Sequence, residues 1–356
     1  MNYIWSKLSL LAFLEEWINK IVWNTNYDIS DLFAWTWIVW RFFKDKWHNV
    51  ISNDLQYYSY VLNKNYIENN IELRFVWLKD IIPEIRNTDK NKELIVIDYL
   101  NNIPLEKWFI YNNYSAWWTK WQEHERLYFT DENAIICDTI RIKIEEWYKS
   151  NLILEQEYYF LLASLIESID KVANTASIYG AFLKQIKKSA LPKMILKSAN
   201  FKIIKDWKFK VYNKDVNELV KETKHDVVYL DPPYNHRQYS WNYHLLETIA
   251  KYDNPEIFWK TWTRNNLENK SEFCSKVKVK DAFNDLISNI DANYIFVSYN
   301  DEWLLSLDDM KEIMSKRWEY WVITKEYKRY KADKTESRNH KKDMVYEYLH
   351  YVKIKK

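Results

Sequence analysis

A chain of 356 residues with a single glycine, Gly180, has to build its tight turns from residues that carry a Cβ. Glycine is the routine residue wherever φ must be positive, and an average protein of this length holds about 25 of them. Here 20 tryptophans stand beside the one glycine. Several of them sit where local backbone chemistry asks for glycine. Asp206-Trp207 lies between two alternating runs, "FKIIK" and "KFKVYN", where Asp-Gly is the favoured two-residue hairpin turn. Trp47 and Trp147 each follow an apolar-periodic run, at the helix-ending position that takes the left-handed conformation. Trp117, Trp118 and Trp121 crowd the polar loop "YSAWWTKWQEHE", where exposed indoles are costly. Two explanations stand: a Trp-rich protein, or a gene that reads UGA as Gly translated with a code that reads it as Trp. The agreement among separate positions favours the second.

Hydrophobic residues make up 47% of the chain and charged residues 29%, a balance that excludes a disordered, collagen-like or coiled-coil protein. The length suits one large domain or two modest ones. Cys137 and Cys274 are too few for a disulfide framework, which points to a reducing, cytoplasmic compartment. No apolar run reaches the roughly 18 residues of a membrane span. Glu15 and Glu16 follow the short apolar stretch at the start, so this region reads as a buried first helix and no signal peptide. Net charge is +2, but residues 184–224 hold 12 Lys against 4 acids and residues 311–356 hold 14 Lys and Arg against 7 acids. Two basic blocks suggest a face for a polyanion; solvated lysine-rich faces are the plainer explanation.

Strand and helix patterns alternate from the start. A strand runs into a tight loop at 27–37, followed by a helix at 38–46, a strand at 49–54 and a helix at 55–68. This alternation predicts a parallel α/β sheet. From residue 103 a polar loop leads into helices expected at 131–149, 154–173 and 178–190, then a hairpin at 202–213. The strand 226–234 follows, with a helix at 281–290, a strand at 293–300, a helix at 307–317 and strands at 320–330 and 343–353. The expected organisation is a sheet domain assembled from residues 1–102 and 201–356, with a mostly helical insert at 103–200.

Asp231-Pro232-Pro233-Tyr234 ends the strand "DVVYL". Two prolines after a buried strand fix a rigid extended turn and remove its backbone donors. A carboxylate, backbone carbonyls and an aromatic face are then left at the carboxyl edge of a sheet, where α/β ligands sit. This set suits a planar aryl amine. The carboxylate and a carbonyl each accept one amino hydrogen, the ring stacks on the Tyr face, and the nitrogen lone pair is freed for attack. His124, His225, His236 and His244 lack metal-ligand spacing with the two cysteines, so no metal site is expected.

The tetrapeptide after such a strand resembles the fourth motif of adenine-specific DNA methyltransferases. "LFAWTW" (32–37) resembles their cofactor loop, normally Phe-x-Gly-x-Gly, with Trp35 and Trp37 on the Gly positions. "MNYIWSK" (1–7) resembles the element before that loop, and the order of the three is that of the Dam-like alpha group. "YNHRQYSWNYHLLETIA" and "SYNDEW" are similar to the family as well. The resemblance implies an α/β, Rossmann-like S-adenosylmethionine-dependent methyltransferase with a mixed sheet. Its reaction would transfer a methyl group to the exocyclic amino group of adenine in a specific DNA sequence.

Carried over by position, Asp31, Phe33, Ala34, Trp35, Thr36 and Trp37 would cradle the methionine part of S-adenosylmethionine. Tyr3 and Lys7 would lie at its carboxylate, Asp54 on the ribose hydroxyls and Asp215 near its adenine ring. Asp231, Pro232 and Pro233 would hold the target amine, with Tyr234 stacked on the target base. Plainer roles stand beside these: a capping or surface Asp54, a helix N-cap at Asp215 and a first-turn Lys7. A base inside a duplex must be flipped out before it can react. Arg237, Tyr239, Lys328, Arg329 and Lys331 are candidates to grip the DNA, and the insert is the candidate target-recognition region. The implied partners are double-stranded DNA and a cognate restriction endonuclease, for an enzyme acting as a monomer. Methylation of RNA adenine is one alternative, although those families usually carry Asn where Asp231 stands. A non-catalytic DNA-binding homologue is the other; it follows if Trp35 and Trp37 are real, because indoles there block close backbone approach to a cofactor.

Overall fold

The computed structural model describes residues 10–23, 27–35, 38–46, 48–88, 90–176, 178–233, 236–258, 263–264, 270–300, 304–328 and 344–354. Seven strands form one mixed sheet: β1 (Ile29–Asp31), β2 (Val50–Asn53), β3 (Phe209–Tyr212), β4 (Val227–Leu230), β5 (Tyr294–Asn300), β6 (Tyr320–Lys328) and β7 (Met344–Lys353). Their spatial order is β3-β2-β1-β4-β5-β7-β6. The first five run parallel, and β7 runs antiparallel to both β5 and β6. All residues of β1 and of β4 are buried, as a parallel sheet covered on both faces requires. The principal helices are α1 (Leu11–Val22), α2 (Ile38–Asp45), α3 (Tyr57–Asn63), α4 (Lys92–Asn101), α5 (Phe109–Tyr114), α6 (Asp131–Lys149), α7 (Glu155–Lys171), α8 (Val216–Glu222), α9 (His244–Lys251), α10 (Val279–Asn289) and α11 (Leu307–Ser315). No described helix is long and apolar enough to cross a membrane.

The chain divides into two compact units. One holds the sheet, from residues 3–63, 206–240 and 267–356; the other is mostly helical, from residues 64–205 and 241–266, with residues 1–2. This differs from the expected insert at 103–200. Residues 64–102 join the helical unit because their contacts lie there: Arg74 and Phe75 donate backbone N–H groups to the buried Glu157 of α7, and Tyr99 of α4 lies 5.9 Å from the Trp147 ring. Residues 241–266 join it through Arg141 of α6. That buried guanidinium donates to the carbonyls of Ile249 (2.9 Å) and Ala250 (3.1 Å) in the last turn of α9, where a helix dipole favours a cation.

Several local expectations are corrected. No helix forms at 178–190 beyond a short 3-10 turn at Lys188–Ala190. Instead the Asn174 side chain donates to Leu127 and Leu183 carbonyls and accepts from the Lys187 N–H, holding the segment as an irregular loop. No hairpin forms at 202–213. The Asn70 side chain both accepts from and donates to the backbone of Ile204, which draws the first run away, and β3 pairs in parallel with β2. Asp206, with φ 70°, is the left-handed residue of the turn, and Trp207 is not. Trp147 does not end a helix either; it is a buried residue within α6, whose end is marked by left-handed Asn151. Trp47 lies outside the described residues. Trp117, Trp118 and Trp121 are exposed, but the expected loop is not all loop: Trp117 and Trp118 lie in a one-turn helix, Ala116–Thr119.

Candidate active site

The sheet reverses its winding between β1 and β4, and a cavity opens at their carboxyl ends, the position at which ligands bind in open α/β sheets. β1 ends on buried Asp31, whose carboxylate accepts the Phe33 N–H at 2.7 Å and turns the chain. The loop that follows is tied to both neighbouring strands. Leu32 donates to the Tyr229 carbonyl of β4 (3.5 Å), and Ala34 donates to the Asn53 carbonyl of β2 (2.9 Å). Asn53 itself is buried, and its amide donates to the carbonyls of Leu32 and Lys214. One side chain therefore links the exits of β1, β2 and β3.

Nine of the residues singled out in the sequence line this one cavity: Asp31, Phe33, Ala34, Trp35, Asp54, Asp215, Asp231, Pro233 and Tyr239. Its empty volume, counted out to the open mouth, is about 910 Å³. Asp54, mostly buried at the end of β2, accepts the Gln56 N–H at 2.7 Å. Asp215 caps α8 by accepting the Asn217 N–H at 2.9 Å, so it is both an N-cap and a cavity residue. Pro232 is buried beside Asp231 and does not line the cavity. Arg237 is exposed and lies off it. Tyr3, Lys7, Thr36, Trp37, Tyr234, Arg329 and Lys331 lie outside the described residues, as does the Lys328 side chain.

Residues that carried no sequence signal complete the wall. Phe273 meets Phe33 edge to face at 5.0 Å between centroids. Ser271 and Gln238 bond reciprocally, with the Ser271 N–H donating to the Gln238 amide oxygen (2.9 Å) and the Gln238 amide donating to the Ser271 carbonyl (3.0 Å). This pair fastens the segment after the Asp-Pro-Pro turn to a stretch some thirty residues away, so nothing local could have revealed it. Trp35 intrudes on the cavity. Its indole N–H donates to the Tyr58 hydroxyl at 2.9 Å, and its ring stands edge-on to Tyr239 at 4.9 Å. Among the described residues no group of His, Cys, Asp and Glu could hold a metal ion. Part of the 184–224 lysine block is neutralised locally, with Lys214 paired to Glu222 and Lys221 to Glu218.

A family model for D12 class N6 adenine-specific DNA methyltransferases matches residues 3–313. The chain belongs to this family. The methyltransferase is 46% identical over 352 residues to the type II methyltransferase M.NlaIII of Neisseria lactamica, an alignment covering 98% of each chain. It is 38% identical over 361 residues to the type II methyltransferase M.FokI of Planomicrobium okeanokoites, covering 99% of this chain and 52% of that one. To the type II methyltransferase M.CviAII of Paramecium bursaria Chlorella virus 1 it is 34% identical over 355 residues, covering 99% and 98%. The seven-stranded mixed sheet agrees with the fold expected of such a methyltransferase. The family match stops at residue 313, so β6 and β7 lie beyond it.

Proposed function

We propose that this adenine-specific DNA methyltransferase binds S-adenosylmethionine in the cavity at the β1–β4 edge and delivers the methyl group to an adenine flipped out of duplex DNA against Asp231 and Pro233. The observation that carries the reading is that the Asp-Pro-Pro turn and the β1 loop, far apart in sequence, line one cavity. The cavity residues suit the cofactor: a carboxylate at the end of β2 for a ribose diol, an aromatic edge from Phe33 and Phe273, and Asp215 in the same lining. Bound S-adenosylmethionine supplies an electrophilic methyl group. Asp231 and Pro233 each accept a hydrogen of the target amine and hold its nitrogen toward that group, and Tyr234 stacks on the base. The helical unit reads the target sequence, and Arg237 and Tyr239, with Lys328, Arg329 and Lys331, hold the DNA. The type II names of the relatives support a place in a restriction–modification system with a cognate endonuclease. Two buried free cysteines support the reducing cytoplasm as its compartment, where the enzyme would act as a monomer.

The same reading assigns glycine to positions 35 and 37 of the working enzyme. Trp35 narrows the cavity, and elsewhere Trp23 and Trp318 hold positive φ values of 57° and 154°, conformations that suit glycine. The mass of the peptide spanning residues 35 and 37, cut from the protein of its own host, checks this: glycine mass is expected, and tryptophan mass there would favour the non-catalytic DNA-binding alternative. Transfer of tritiated methyl groups to DNA tests the site. Label should appear with the host-decoded enzyme and vanish with Asp231→Ala; label that survives the substitution removes Asp231 from the chemistry.

A further inference from the structure

Asn53, the last residue of β2, is buried, and its amide bonds to the backbone of two separate loops. The reach follows from register. β2 lies between β1 and β3, with Ser52 opposite Asp31 and Asn53 opposite Tyr212, so Asn53 comes level with the residues that leave both neighbouring strands. Its amide nitrogen donates to the Leu32 carbonyl at 3.2 Å and to the Lys214 carbonyl at 3.1 Å, and its amide oxygen accepts the Lys214 N–H at 3.1 Å. Aspartate has no donor for the two carbonyls, leucine has neither donor nor acceptor, and glutamine is one methylene longer. Leu32 precedes Phe33 and Ala34, Lys214 precedes Asp215, and Asp54 follows Asn53 itself; all of these line the cavity. The exposed Asn213 makes a contrast. Its amide donates to the carbonyls of Asp54 (2.7 Å) and Leu55 (3.0 Å), so these bonds fasten the same turn to the exit of β2 and do not reach the β1 loop.

A buried amide is costly unless it is bonded, and a hydrophobic residue would fill a purely structural core as well. What Asn53 adds is a fixed separation between loops that leave β1 and β3. We infer that Asn53 is a positioning residue, which holds the β1 loop and the Lys214–Asp215 turn at a set distance so that the methionine and adenosine ends of one S-adenosylmethionine molecule are gripped together. This rests on the assignment of the cavity to the cofactor proposed above. When two loops are arranged in advance, a ligand held at one end presents its other end at a high effective concentration. Loosening the loops removes that gain and leaves the contacts of each end as they were.

Binding titrations on the host-decoded enzyme test this with two ligands. One is S-adenosylhomocysteine, the product left when the methyl group departs; the other is adenosine, which lacks the amino-acid end. Asn53→Ala should weaken S-adenosylhomocysteine about tenfold, as for the loss of order in one loop. It should weaken adenosine by less than about twofold, because Asn213 still holds the turn beside Asp54. The preference for the longer ligand therefore shrinks. Asn213→Ala should weaken both ligands alike and keep the preference. A merely structural Asn53 would lower the thermal midpoint and leave the preference unchanged. That result, equal weakening of the two ligands by Asn53→Ala, or an equal loss of preference in Asn213→Ala would overturn the inference. If Asn53→Ala does not fold, Asn53→Ser decides on the same ratio, since its hydroxyl has one donor for two carbonyls. Asp54→Ala runs alongside. If that variant binds S-adenosylhomocysteine as the unaltered enzyme does, the assignment of the cavity has failed. If it weakens both ligands while Asn53→Ala keeps the preference, only the positioning role has failed.

Discussion

Trp23 closes α1 in the left-handed conformation, with its N–H on the Asn19 carbonyl and its side chain 89% exposed. An L-residue in that conformation costs roughly 1–2 kcal/mol, and an exposed indole returns little of it. Trp23→Gly should therefore stabilise the protein by about 1 kcal/mol. Trp147 is the opposite case. It is buried within α6 and its ring packs at 5.9 Å from Tyr99. Trp147→Gly should cost about 4 kcal/mol or more, through the cavity and the loss of helix propensity. Urea midpoints of the two variants check both signs. A gain at both positions would mean that residue 147 packs without its ring, as in a chain that carries glycine there. The two residues share a side chain and a composition argument, yet backbone conformation and burial separate them.

At the scale of elements, α5 depends on a neighbour. Its first turn has no side-chain cap of its own. The Asp138 carboxylate of α6 accepts the N–H groups of Trp108 (2.9 Å), Ile110 (3.0 Å) and Tyr111 (2.8 Å) instead. Asp138→Ala leaves three backbone donors, two of them buried, without that partner and should cost at least about 2 kcal/mol. Hydrogen exchange at Ile110 and Tyr111 should accelerate ahead of the rest of the helical unit; unchanged protection there would show that α5 is held by packing alone. No sequence pattern marked this contact, because its partners lie about thirty residues apart. The helix that supplies Asp138 was legible. Thr130 accepts the Asn133 N–H at its start, Asp131 and Glu132 favour its positive end, and the expected span, 131–149, is the one found. Strands β2, β4 and β5 were legible for a similar reason, since short apolar runs end in turn residues. The segment at 178–190 was not, because the Asn174 side chain supplies from outside the bonds a helix would have made within. The site divides in the same way. Asp31, Asp54 and Asp231 stand at or just past strand ends, where position alone suggests a role, whereas Ser271 and Phe273 reach the cavity through a long-range pairing with Gln238.

For the molecule as a whole, pH acts through buried neutral imidazoles. His225, His244 and His350 are each pushed down to about 4, mainly by burial, from the usual 6.5. A depressed pKa means that the unfolded chain takes up the proton first. The stability these groups contribute is complete above pH 6.5 and is lost as pH falls toward 4. Asp138 works in the opposite sense. Burial pushes its carboxyl up to about 7, so its share is present below the usual 3.8 and lost as pH rises through 7. Burial lowers His48 as well and raises the carboxyls of Glu157 and Asp170 as it does that of Asp138; with imidazoles in the majority, the thermal midpoint should fall between pH 7 and 5.5. A midpoint that stays level or rises over that interval would contradict the sign.

The sheet is also discontinuous in the chain, and this sets a schedule. β1 and β2 leave the ribosome first, but β3 and β4, which pair with them, begin only at Phe209 and Val227. At roughly 5–20 residues per second, the intervening stretch takes on the order of ten to thirty seconds to synthesise. Through that interval two short strands have only each other, and neither edge is covered. Arrested nascent chains ending before Val227 should leave β1 and β2 open to protease, and longer chains that include Val227–Leu230 should protect β1. A cell making this enzyme therefore carries a pool of half-built molecules in proportion to its rate of synthesis, and modification of newly replicated DNA lags the appearance of the message by at least that interval.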